Sequence, residues 1–150
     1  MQYWLIKSEP NTYSIDDLKR EKQIAWEGVR NYQARNHMRA MKKGDEMLFY
    51  HSSVEPMGVA GIARVAHVAH ADESQFEKGD YFEPRATKEK PVWECVDVAF
   101  VKKAPRLVPL DQLKRDTQLE GMVLLQRGSR LSVQPVSAAH FAHIRSLFKQ

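Results

Sequence analysis

A chain of 150 residues with 43% hydrophobic and 28% charged side chains has the size for one domain with one sizeable core, and its composition excludes intrinsic disorder. No apolar run approaches the ~20 residues that span a bilayer, and MQYWLIKSEP lacks the basic-then-apolar pattern of a secretory leader, so a cytoplasmic protein without membrane contact is expected. A formal charge of +4 fits an anionic partner without requiring one, and the single cysteine, Cys95, excludes an internal disulfide and a cysteine-rich zinc site.

Residues 1–7 (MQYWLIK) are aromatic and branched and read as a strand, ended by Ser8, Glu9 and Pro10. Ser14 followed by Asp17 starts a short helix with Ile15 and Leu18 on one face. Asn31 caps a second helix running to about Lys43, with Ala34, Met38 and Met41 toward the core and Gly44 as its stop. Arg35, Arg39 and Lys42 recur at helical spacing on a different face of it. Strands are expected over residues 46–51 and 59–68, separated by a turn-prone segment at 53–58; the two faces of the second are hard to rank. Residues 71–91 are polar and contain proline, which predicts a long excursion. Residues 92–101 (VWECVDVAFV) form the best strand pattern, broken by Pro105 and Pro109 from a short helix near residues 111–114. Residues 131–136 (LSVQPV) read as an edge strand because Pro135 cannot donate to a ladder. Ser137 then caps a last helix packing through Phe141, Ile144 and Phe148. The order β, α, α, β, β, long loop, β, α, β, α is not the alternation of a doubly wound parallel sheet. It fits an α+β domain with a mixed, curved or barrel-like sheet surrounded by helices, and no repeat or linker divides it.

The enzyme and metal motifs are missing. His67 and His70 lie three apart, as do His140 and His143, but no HExxH or Cys/His framework accompanies them, so no metal site is expected. Cys95 falls within the strongest strand, where a cysteine is usually a small core residue. There is no GxSxG elbow, and the adjacency of His51, Ser52 and Ser53 is not triad geometry. Asp16-Asp17 and Asp72-Glu73 look like helix-start and loop acids. Neither GxGxxG nor GxxxxGK[ST] occurs, which argues against a dinucleotide or triphosphate site.

What is left is aromatic, amide and basic. Trp26, Tyr32 and Tyr50 could stack on a nucleobase; Ser8, Asn31, Asn36 and Ser52 could read its edge; Arg30, Arg35, Arg39, Arg127 and Arg130 could neighbour phosphates. On residue types alone an alternative stays open and carries slightly more weight: Trp26 half in the core, with the arginines a solvated helix face.

The segments KSEP (7–10), WEGVRNYQARN (26–36), FYHS (49–52) and RLSVQPVS (130–137), in that order across nearly the whole chain, resemble the EVE domain, the family of the thymocyte nuclear proteins within the PUA-like superfamily. The resemblance implies one PUA-like domain over residues 1–150: a mixed, curved β pseudo-barrel surrounded by short helices. Without the extension of the eukaryotic members, it implies a stand-alone, bacterial-type protein. It also implies a non-catalytic nucleic-acid reader, since EVE domains are similar to the YTH domains that hold a methylated adenine and are associated with modified DNA bases, notably modified cytosines. Carried over by motif position, Ser8, then Trp26, Val29, Arg30, Asn31 and Tyr32, then Tyr50, His51 and Ser52, then Leu131 and Ser132 would form the base pocket. Arg35, Arg39, Arg127 and Arg130 would contact phosphates. No cofactor or metal is implied. The expected partner is modified DNA, bound by a monomer. Two rivals are an RNA-binding PUA-like module and an enzyme or small-molecule binder using the same pocket through His51 or Cys95.

Overall fold

The structure, a computed structural model, describes residues 1–149. Six strands form its sheet: β1 (Tyr3–Ser8), β2 (Gln23–Ala25), β3 (Glu46–His51), β4 (Gly58–Ala71), β5 (Glu94–Pro109) and β6 (Val133–Val136). They lie in the order β2-β5-β4-β3-β1-β6, with β1 parallel to β3 and the other neighbours antiparallel. The sheet is mixed and unclosed. Its long strands β4 and β5 meet with several register shifts, and such bulges bend a strand and increase its twist, which curves the sheet.

Side chains alternate between the two faces as a strand dictates. Trp4, Ile6, Met47 and Phe49 point to one face, where helices α1 (Ile15–Glu21) and α2 (Tyr32–Ala40) bury Leu18, Ala34 and Met38. Leu5, Leu48 and Tyr50 point to the other, covered by α3 (Leu110–Lys114) and α4 (Ala138–Leu147) through Leu113, Phe141 and Ile144. The fold class is thus the expected α+β, PUA-like arrangement of a curved sheet with short helices packed outside. Helix α1 starts on a full capping box between Ser14 and Asp17. It lies so close to β4 that a Cβ at Gly61 would meet Ile15 Cδ1 at 2.8 Å.

Several elements differ from the sequence expectation. Pro105 does not end the strand it follows: β5 runs on to Pro109. Between the Val59↔Val108 and Gly61↔Lys103 pairings, residues 104–107 bulge, so Pro105 sits where no ladder donor is needed. Helix α2 stops at Ala40 rather than near Lys43, because Met41 turns to an extended conformation while keeping its side chain buried. Strand β2, three residues long, carries too little pattern to be seen in sequence. It pairs with β5 at 97–99 and thereby sets the direction of the segment that follows it. β5 begins at Glu94 rather than Val92 because the Val92 and Trp93 N–H groups donate to the side chain of Gln75. Gln75 is fully buried and also donates to Asp72 O and Trp93 O, each at 2.7 Å, so one side chain ties together both ends of the long β4–β5 connection. The edge strand holds: β6 pairs with β1 alone, with Pro135 exposed.

Candidate functional site

Past the C-terminal end of β1, where the Lys7 N–H donates to Ser132 O at 2.9 Å, a cleft of about 680 Å³ opens. Its walls are residues 7–9, Thr12 and Tyr13, the run from Ile24 to Asn31, Tyr81 and Ser132. Trp26 is half-buried. It packs against the α1/α2 core, with Tyr13 and Phe49 set edge-on at 6.0 and 5.6 Å, while part of it lines the cleft. Its backbone N–H donates to Val96 O at 2.9 Å, extending the β2–β5 pairing by one residue. The wall tryptophan is thus placed by a sheet rather than by a free loop.

Beyond Trp26 the chain is held by a buried carboxylate. Asp72 Oδ2 accepts from the Gly28 N–H (2.9 Å) and Arg30 Nη1 (3.0 Å), and Oδ1 accepts from the Ser74 N–H (2.9 Å). Burial opposes ionisation of this carboxyl, but the hydrogen bonds from Ser74, Gly28 and Arg30 together with the Arg30 charge outweigh it and hold its pKa below the ordinary value. Gly28 has φ +91°, a conformation that suits glycine. Arg30 Nη1 also donates to Val29 O (3.0 Å), and Nη2 to Ser74 Oγ (3.1 Å) and Tyr81 O (2.8 Å), so both terminal nitrogens are spent inside the protein. Asn31 is the N-cap of α2, its Oδ1 accepting from the Ala34 N–H at 2.9 Å; its amide NH₂ keeps both donors for other partners. The Ser8 hydroxyl donates to Tyr13 O at 2.5 Å, which leaves its oxygen as an acceptor.

Of the residues expected in the pocket, Ser8, Trp26, Val29, Arg30, Asn31 and Ser132 line this cleft together. The others lie elsewhere. Tyr50 is buried in the opposite core, where burial pushes its phenol up to about 12. His51 Nε2 accepts from the Ile15 N–H at 3.1 Å, helping to cap α1, and burial lowers its pKa so that the ring stays neutral. It borders a separate hollow of about 250 Å³. Ser52 follows β3, its backbone N–H donating to Ser8 O at 2.9 Å. Tyr32 is exposed and stacks on Trp93, centroids 4.9 Å apart and planes 23° apart.

Leu131 lines a second hollow of about 360 Å³ with Arg127, Arg130, Gln126, Ser129 and Gln33. Asn31 borders both hollows, and Leu131 and Ser132 are consecutive, so the two adjoin as one groove. Arg127 and Arg130 are exposed and make no ion pair or hydrogen bond with a described residue. The arginines expected on the α2 face are occupied instead. Arg35 Nη1 donates to Val92 O at 2.8 Å with its guanidinium 4.9 Å from the Tyr32 ring, and Arg39 pairs with Glu94.

Sequence reasoning overlooked Tyr13, Ile24 and Tyr81 in the wall and Asp72 behind it. Tyr81 carried a readable signal, since it and Phe82 are adjacent aromatics in an otherwise charged segment. Cys95 is fully buried, with its thiol pushed well up by burial, and does not line the cleft. Among the described residues no group of three or more His, Cys, Asp or Glu side chains is placed to hold a metal.

A curved, unclosed sheet with an aromatic and amide cleft at the end of its parallel pair, beside a hollow bearing two open arginines, defines a PUA-like binding module. More particularly, the chain belongs to the EVE domain family, whose model matches residues 2–147. It is 43% identical to mouse thymocyte nuclear protein 1 over 165 aligned positions, covering 97% of this chain and 73% of that protein. A hypothetical protein from Leishmania major superimposes with a TM-score of 0.95 at 49% identity, over 99% of this chain and 95% of that one. Human THYN1, solved in complex with 5-methylcytosine-containing DNA, superimposes with a TM-score of 0.92 at 39% identity, over 100% of this chain and 99% of that one.

Proposed function

We propose that this protein is a non-catalytic reader of nucleic acid that takes a flipped, modified base into the cleft, with modified cytosine in DNA as the favoured ligand. The observation that carries the reading is a cleft of about 680 Å³, lined in part by the half-buried Trp26, that shares Asn31 with the adjoining hollow of Arg127 and Arg130. The complex of human THYN1 with 5-methylcytosine DNA, in a protein of the same fold, supports the choice of ligand.

The chemistry follows from the parts. Extruding a base from a duplex costs a few kcal/mol, which stacking and edge contacts inside the cleft must offset. Trp26 offers a π surface worth roughly 1–3 kcal/mol per base. The open NH₂ of Asn31 can donate to the acceptors O2 and N3 of cytosine, and Ser8 Oγ can accept from its amino group. Arg127 and Arg130 lie one hollow away, where the backbone flanking a flipped nucleotide would run, and give a salt-sensitive grip that ignores sequence. Burying one extra methyl contributes only ~0.8 kcal/mol, about fourfold in affinity, so selectivity for the modified base is modest unless polar groups also penalise the plain one. The two side chains that the enzyme alternative would use are badly placed for it: Cys95 is sealed in the core, and His51 caps α1 outside the cleft.

Fluorescence anisotropy with three matched probes tests this: a duplex with one 5-methylcytosine, the same duplex unmodified, and single-stranded RNA of that sequence. The methylated duplex is expected to bind tightest, by a few-fold over the unmodified one, with every probe recovered unchanged. Equal affinity for all three rejects modified-base reading. Tightest binding to the RNA selects the RNA-binding alternative, and a converted probe selects the enzyme.

A further inference from the structure

Tyr81 lies on the polar β4–β5 connection and half its surface is exposed (49%), yet its position is fixed from several sides. Arg30 Nη2 holds its carbonyl at 2.8 Å, and the Arg30 guanidinium lies 5.3 Å from its ring. The ring rests on Gly28, where a Cβ would come within 3.0 Å of Tyr81 Cζ. Two residues on, Glu83 is anchored: its N–H donates to Gln75 O at 2.9 Å and its carboxylate accepts from Trp93 Nε1 at 3.1 Å. The ring belongs to a cluster of planar groups. Arg30 lies 5.3 Å from both Tyr81 and Trp93, Trp93 stacks on Tyr32 at 4.9 Å, and Arg35 lies 4.9 Å from Tyr32 and 6.0 Å from Trp93. Of the three aromatic rings in this cluster, Tyr81 lines the cleft.

We propose that Tyr81 is the outer stacking surface of the cleft, closing against the free face of a planar nucleobase whose inner side rests near Trp26. This inference rests on the reader function proposed above and names the residue that makes the second stack. A tyrosine with no ligand role gains little from such a site, since its ring packs on backbone and a guanidinium instead of the core and half of it meets water. A held, half-exposed ring at the mouth of a cleft is pre-ordered for a flat partner, so little freedom is lost on binding. Stacking is tolerant of base identity, so Tyr81 sets the affinity for an inserted base rather than the preference for its modification.

The test compares Tyr81→Phe, Tyr81→Leu and Tyr81→Ala with the wild type, using methylated and unmodified duplexes across a salt series, with thermal melts of each protein. Phe keeps the ring; Leu keeps apolar bulk on Gly28 without a π face. Expected are near-wild-type binding for Phe and about a tenfold loss for both Leu and Ala. That loss should be equal on both duplexes, with unchanged salt dependence and melting points close to wild type. Wild-type affinity in Tyr81→Ala overturns the inference while leaving the reader function intact, as does a loss in Tyr81→Phe equal to that in Ala. Failure of the wild type to bind any duplex overturns both.

Discussion

Arginines border the groove on two sides, and the two sides differ in what those arginines are for. On the Trp26 side, Arg30 spends both terminal nitrogens on Asp72, Ser74, Val29 and Tyr81, and its 21% exposed side chain acts as a bracket. On the far side, Arg127 and Arg130 sit in an exposed loop with no acid or carbonyl among the described residues attached. One side uses positive charge to build a wall, the other leaves it exposed to solvent. Formal charge in a sequence does not separate these roles; a partner carboxylate 42 positions away does.

The comparison breaks most violently at Asp72. Asp72→Ala removes the acceptor for the Gly28 N–H, Arg30 and Ser74 at once, leaving a part-buried guanidinium without its counter-charge. A loss of about 3 kcal/mol in urea unfolding is expected, with binding lost alongside because the wall from 26 to 31 is no longer held. Asp72→Asn keeps acceptor capacity without charge and should fall between. A loss below about 1 kcal/mol in the Ala variant would show the wall to be held by packing instead. The same group predicts a pH effect. Its folded pKa is depressed, so its stabilisation is complete above the ordinary carboxylate range and disappears as pH falls through the lowered value.

The open side answers to salt. If Arg127 and Arg130 contact phosphates as proposed, replacing both by Gln removes two such contacts, so the slope of log K against log salt should lessen by about two, equally for modified and plain duplex, with no change in melting point. The same double change at Arg35 and Arg39 should do the opposite. Those arginines serve Val92 O and Glu94, so stability drops by under about 1 kcal/mol and the salt slope stays. A slope change in the second pair and none in the first would reverse the assignment of the two sides.

The fold was legible wherever a local pattern carried it. Ser14, Asn31 and Ser137 cap helices by hydrogen bonds to backbone N–H groups three residues on, which short-range sequence encodes. Pro135 marked the edge strand because a missing donor excludes it from the sheet interior. The site was only half legible. Motif position placed Ser8, Trp26, Val29, Arg30, Asn31 and Ser132 on one cleft, yet Tyr50 and His51 came from a similarly dense motif, FYHS, and lie outside it. On β3 the faces alternate, so Phe49 and Tyr50 belong to opposite cores, and no motif states which face holds the ligand. Tyr81 and Asp72 escaped because their roles depend on contacts 51 and 42 positions away from Arg30, within a connection that looks like solvated loop.

The smallest effect sharpens the reading of His51 as structure instead of site. Its Nε2 accepts from the Ile15 N–H, which requires an unprotonated nitrogen, and burial lowers its pKa from the ordinary value. The unfolded chain therefore takes up this proton first. Stability from His51 is complete above the ordinary histidine pKa of about 6.5 and is lost as pH falls through that value toward the folded one. Gln places an amide oxygen near the position of Nε2 and does not titrate. His51→Gln should thus hold its melting point better than the wild type between about pH 7.5 and pH 5.5, while binding the methylated duplex as well as the wild type at neutral pH. His37, whose pKa burial also lowers, stays in both proteins and cancels from the difference, as does His70, where burial pulls the pKa down but the hydrogen bonds to Asp97 and Ala71 O and the nearby acids together raise it. If the two proteins lose stability in parallel, the Ile15 contact does not select the neutral imidazole. If His51→Gln instead loses binding at neutral pH, His51 belongs to the ligand site after all, and the boundary drawn between cleft and cap must move.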